Sequence, residues 1–198
     1  MISKKAIDLI KEFENDPNDY LGKPEWPGSK SGITIGFGWD LGYTDWTETA
    51  KAWKALNAND LSALLAVSGY KGEQAKARLS EVVHIKIPFT IAESVFFNET
   101  IPTWEARTEK VYPQARQLPE DCFGALVSLV FNRGPSVSDD DRRKEMRQIQ
   151  AELAANNPSA VPGLIKSMKR LWPDVAGLRR RRDAEAALFE YGLSLRGE

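Results

Sequence analysis

Histidine and cysteine are almost missing from this chain. Its 198 residues include one of each, His84 and Cys122. A lone cysteine excludes an internal disulfide framework. A catalytic zinc site takes three protein ligands and is usually rich in histidine, so zinc peptidases and zinc amidases fit poorly. Any Ser-His-Asp or Cys-His device would have to run through His84. Long apolar runs are missing too. No window approaches the ~18 uninterrupted apolar residues of a membrane span. Residues 1–14 contain no apolar signal-peptide core. The expectation is a chain made in a cytoplasm, with something else releasing it if it works outside. Excess charge of one sign is also lacking, since 27 Lys and Arg face 28 Asp and Glu for a net of −1.

What is present is globular in character. Hydrophobic residues make up 42%, charged residues 28% and aromatics 10%, too apolar for a disordered chain. The length suits one domain, or one domain with two lobes. Charge is unevenly distributed: residues 142–198 carry a net of +5 and residues 1–141 a net of −6. The basic part could face an anionic polymer such as a cell wall or a nucleic acid, or be a solvated helix face. With so little histidine and cysteine, proton chemistry falls to the carboxylates.

The pattern along the chain is mainly helical. Ser3 followed by Ile7, Ile10 and Phe13 predicts a capped amphipathic helix, stopping near Asn15-Asp16-Pro17-Asn18-Asp19. Residues 22–32, with Pro24, Pro27 and Gly28, read as loop and turn. In residues 33–42, Ile33, Ile35, Phe37, Trp39 and Leu41 alternate with small or polar residues, which predicts a strand. Gly36 and Gly38 suggest a bulge or a close approach within it. Helices are expected over 50–56 behind a Thr47-Glu48 cap, over 61–67 behind an Asn59-Asp60 cap, and over 71–79. Residues 81–87 read equally as a short strand or an extended link. A long helix from Thr90 includes Phe96 and Trp104, with Pro102 as its kink. An apolar helix over 122–131 ends at Gly134-Pro135. Helices from Ser138 to about Asn156, over 159–168 and over 175–193 complete the chain. The predicted class is α+β, predominantly α-helical.

Three residues in the first forty carry chemistry of one kind. Glu14 closes the first helix, where the macrodipole disfavours negative charge, a setting that suits a proton donor. Thr34 lies on the glycine-flanked strand, and Asp40 follows six residues later among polar neighbours. Glycoside hydrolysis needs a neutral carboxylic acid to protonate the glycosidic oxygen. It also uses an ionised carboxylate to orient water or stabilise an oxocarbenium-like centre. Spacing alone does not name an enzyme, since each residue has an ordinary reading as surface acid, β-former or turn residue.

The run Gly32-Ile33-Thr34-Ile35-Gly36-Phe37-Gly38, about twenty residues after Phe13-Glu14, resembles the phage-type lysozymes of glycoside hydrolase family 24. Their motif is a helix-ending Glu, a loop and a Thr-Ile-Gly-x-Gly hairpin. Continued through Trp39-Asp40-Leu41-Gly42, it is similar still more closely to the pesticin-like branch, in which an Asp six residues after the Thr is the second acid. Residues 125–134, ending Phe131-Asn132-Arg133-Gly134, resemble the family's central helix. Residues 177–189, with Arg179-Arg180-Arg181-Arg182 and Leu188-Phe189, resemble its last helix. The loop Trp26-Pro27-Gly28-Ser29-Lys30-Ser31 lacks the acid common in phage members, and Trp39 stands where a His is usual. Both departures favour Asp40 as the second carboxylate.

The resemblance implies a lysozyme-like fold over 1–198, with a small β-hairpin lobe at about 15–60 and a helical lobe beyond. It implies a muramidase cleaving the β-1,4 bond between N-acetylmuramic acid and N-acetylglucosamine, as a phage or prophage endolysin. Glu14 would be general acid, Asp40 general base or electrostatic stabiliser, and Thr34 would position water. Asn132 would bond a sugar N-acetyl group or cap its helix, Arg181 would pair with Glu14 or belong to a solvated basic face, and Trp39 could stack on a sugar ring or lie in the core. Trp26, Tyr43 and Trp46 carry the same pair of readings. No metal or organic cofactor is implied. The implied partner is bacterial peptidoglycan, met as a monomer without nucleic acid or membrane insertion. Rival readings are a lytic transglycosylase, which needs no second carboxylate, and a wall- or nucleic-acid-binding module. A Cys122–His84 amidase is a remote third.

Overall fold

The computed structural model describes residues 1–14 and 22–195. The described chain is predominantly helical with one two-stranded antiparallel sheet, so the α+β expectation holds. In order come α1 (Lys4–Glu14), β1 (Thr34–Ile35), β2 (Trp39–Asp40), α2 (Trp46–Ala52), α3 (Ala58–Ala66), α4 (Gly72–Arg78) and α5 (Phe89–Val95). A π-helical turn (Phe96–Thr100) leads to α6 (Ile101–Val111), α7 (Glu120–Arg133), α8 (Lys144–Ala154), α9 (Val161–Ser167) and α10 (Ala176–Ser194). The chain divides into two compact units, Glu14–Ile101 and Met1–Phe13 with Pro102–Glu198. Among the described residues no helix is long and apolar enough to cross a membrane.

The unit Glu14–Ile101 is built around the hairpin. The alternation over 33–42, which period two alone reads as one strand, is two short strands paired Thr34↔Asp40 and Ile35↔Trp39, a hairpin as the resemblance implied. Gly36 turns the chain with φ +57°, a conformation other residues adopt at a cost. A methyl there would also meet the Trp53 ring at 2.6 Å. Ile33, Ile35, Phe37, Trp39 and Leu41 are all buried. Each contributes ~1.5–3 kcal/mol relative to exposure. Phe37 meets Phe89 edge-on at 5.6 Å, and Trp39 meets Trp53 at 6.2 Å.

Helix starts differ slightly from expectation. Asp45, not Thr47, caps α2 by accepting from the Thr47 amide at 2.7 Å. Asn57, not Asn59, caps α3 through the Asp60 amide at 2.9 Å. Residues 82–87 are a link that buries Val82, Ile85 and Ile87 without entering a strand. The irregularity assigned to Pro102 sits earlier. The Ile101 amide bonds the Phe96 carbonyl, an i→i+5 link. That wider turn directly precedes the proline, which has no N–H to continue the ladder.

The second unit centres on α7. Ten consecutive residues, from Asp121 to Val130, are buried, which marks a helix covered on all sides. α10 packs against α7 and α9, and α9 against α8. α1 also meets α7: a methyl at Gly124 would overlap the Ala6 side chain. Ser3 caps α1 as expected, accepting from the Ala6 amide at 3.1 Å while donating to Asp121 at 2.5 Å. The predicted stop of that helix at residues 15–19 lies outside the described residues.

Candidate active site

The hairpin register places Thr34 directly opposite Asp40. Residues facing one another across an antiparallel pair project to the same side. The buried Ile35 and Trp39 occupy the other face, leaving Thr34 and Asp40 half-buried on the side away from the core. Two of the three candidate catalytic residues are thus brought together. Glu14 is half-buried and closes α1.

The backbone holds the Asp40 carboxylate firmly. Its Oδ1 accepts from the Gly42 amide at 2.8 Å and the Gly32 amide at 3.0 Å, and Oδ2 from Gly32 at 3.2 Å. Oδ1 is then saturated, while Oδ2 keeps a lone pair for water. Gly32 is required for this seat, since a side chain there would overlap the Gly42 nitrogen and Asp40 Oδ1. Gly32→Ala is therefore expected to destabilise the protein by about 1–3 kcal/mol, read as a lowered midpoint in denaturant. An unchanged midpoint would show that the seat has slack.

Burial pushes the Asp40 carboxyl above its ordinary value, against the Gly42 and Gly32 amides and the Lys71 charge, which pull it down. A carboxyl raised on folding binds its proton more tightly in the native state. Its stabilising contribution is complete below the ordinary value of 3.8 and is lost as pH rises through the raised one. Asp40→Asn keeps an acceptor for both amides but does not titrate. Relative to wild type, it should gain stability between pH 3 and pH 7. Denaturation curves at the two pH values test this, and an equal difference at both would contradict it.

The aromatic candidates separate by exposure. Trp39 is 9% exposed and donates its indole N–H to Thr49 Oγ1 at 3.3 Å, so it belongs to the core and offers no face for a sugar. Tyr43 and Trp46, 57% and 64% exposed, keep ring surface in solvent. Trp26 is half-buried and donates to the Ser31 carbonyl at 3.1 Å. His84 is exposed, whereas Cys122 is buried, with its thiol on the Phe189 carbonyl at 3.2 Å.

In the helical unit, two of the four consecutive arginines are interior rather than solvated. Arg181 is 2% and Arg182 0% exposed. Glu185, fully buried, is their shared acceptor: its Oε1 takes Arg181 Nε at 3.1 Å, Arg182 Nη2 at 2.9 Å and Ser128 Oγ at 2.7 Å. Arg182 also donates to Asn132 Oδ1 at 3.1 Å. The Arg181 guanidinium lies 5.6 Å from the Phe13 ring. Sequence reasoning places Glu185 and Ser128 on the two helices but assigns neither a role. The spacing signal was there, because Glu185 is four residues after Arg181 and three after Arg182.

Among the described residues, no three His, Cys, Asp or Glu side chains gather as a metal site would require. No protein-family model matches this chain, and no curated protein aligns with it significantly.

Proposed function

We propose that the protein is a muramidase with a lysozyme-like fold, hydrolysing the β-1,4 bond between N-acetylmuramic acid and N-acetylglucosamine. The observation that carries this reading is the Thr34↔Asp40 pair on the outer face of the hairpin. A fixed carboxylate with one open lone pair stands there beside a hydroxyl, a pairing suited to orienting a water molecule. In this reading Glu14 protonates the glycosidic oxygen. Asp40 and Thr34 direct water to the anomeric carbon or stabilise its developing positive charge. Exposed Tyr43 and Trp46 replace Trp39 as candidate sugar-stacking surfaces. The family resemblance of residues 32–42, 125–134 and 177–189 supports the substrate class. The same resemblance carries the expectation of an endolysin acting alone on peptidoglycan.

The grip of two backbone amides on Asp40 favours a second reading. A carboxylate so engaged can serve chiefly to close the hairpin, and a lytic transglycosylase needs only the acid Glu14. Mass spectrometry of products from purified sacculi separates the two. Hydrolysis leaves reducing ends, transglycosylation leaves anhydro-muramyl ends, and no released product would sink both.

A further inference from the structure

The helical unit contains a cavity of about 550 Å³ whose lining includes Asn132, Arg133, Arg142, Arg143, Asp140 and Trp172. Three arginines face one aspartate there. The neighbouring acids Asp139, Asp141 and Glu145 are engaged by other arginines, and Asp140 is the lining carboxylate. Asp141 and Glu145 pair with Arg170 at 2.6 and 2.5 Å, and Asp139 with Arg147 at 3.2 Å. Among the described residues, no carboxylate lies in ion-pair contact with Arg133, Arg142 or Arg143.

Arg133 and Arg143 are also held in place. The Arg133 guanidinium stacks on Trp172 at 4.8 Å and donates to the Arg142 carbonyl. Arg143 Nη1 rests on Met146 Sδ at 3.2 Å. Asn132 spends its carbonyl on Arg182, which turns its amide N–H₂ to other acceptors. Like charges crowd the site: burial, with Arg143, Arg182 and Arg142, pushes the Arg133 guanidinium down to about 10, against the Glu145 charge that pulls it up. A recess whose lining sets three guanidinium groups and an amide N–H₂ against one carboxylate is complementary to an anion.

We infer that this cavity is a binding site for a compact ligand bearing at least two oxyanion charges, a phosphate ester or a polycarboxylate. The guanidinium forks of Arg142 and Arg143 grip the oxyanions from the rim, and Arg133 neutralises them from within. Asn132 adds a neutral donor. The site lies wholly within the helical unit and does not depend on what the hairpin does.

Isothermal titration of the intact protein with pyrophosphate and with citrate tests this, at ionic strength fixed by sodium chloride. Saturable binding to one site is expected for at least one of them. Tighter binding of pyrophosphate assigns the site to phosphates, and tighter binding of citrate assigns it to carboxylates. Arg142→Glu, at an exposed position, should weaken that binding by at least about tenfold. Arg143→Gln provides a second test that does not reverse charge, with circular dichroism confirming that each variant is folded. The inference is overturned if neither anion binds beyond the chloride control, or if both variants bind as the wild type does.

Discussion

Glu14→Gln is expected to lower the release of reducing ends from sacculi by about 10²–10⁴-fold with little change in thermal stability. If Glu14 supplies the proton to the leaving oxygen, the amide cannot, and the lost factor corresponds to roughly 3–5 kcal/mol of transition-state stabilisation. The substitution is nearly isosteric. Gln has close to the helix propensity of Glu, and the position is the last of α1, where propensity weighs least. A folded protein with lost activity is therefore the signature of chemistry rather than of damage. Turbidity loss at near the wild-type rate would remove Glu14 from the mechanism. Asp40→Asn run beside it divides the two catalytic readings: a comparably severe loss supports hydrolysis, and near-normal activity supports transglycosylation.

The hairpin shows why part of the site was readable and part was not. Ile33, Ile35, Phe37, Trp39 and Leu41 alternate without a break, and all five are buried. A tight turn through Gly36 preserves that alternation, so period two identifies an extended segment but not the reversal inside it. Thr34 and Asp40 became partners only through the reversal. Local signals fared better, since the Ser3 cap needs nothing beyond Ala6. Sequence marks Pro102 as the kink of this helix, and nothing in the residue pattern marks the wide turn at Phe96–Thr100. Trp39 illustrates a further limit. An aromatic residue beside a candidate acid suits a sugar platform or a core equally, and the choice was made by Trp53 and Thr49.

The arginine run was legible in spacing and illegible in burial, and Glu185→Ala tests what the structure adds there. Three donors converge on Glu185 Oε1, from Ser128, Arg181 and Arg182. Arg182 is wholly buried, and its Nε and Nη1 have no hydrogen-bond partner among the described residues. Its guanidinium is already pushed below the ordinary value by burial, opposed by the Glu185 charge and reinforced by Arg181. Removing the carboxylate takes its counter-charge from the wholly buried Arg182. Breaking such a pair from one side costs about 3–5 kcal/mol, a fall in melting temperature of roughly 6–20 °C for a chain of this size. The loss should be largely recovered if Arg182 is also replaced by a residue of similar volume such as Met, because an apolar replacement of a buried ion pair is often neutral. A Glu185→Ala protein melting within about 2 °C of wild type would show that water or a rearranged side chain already reaches these arginines. Failure of the second substitution to recover stability would instead place the value of Glu185 in its bonds to Ser128 and Arg181.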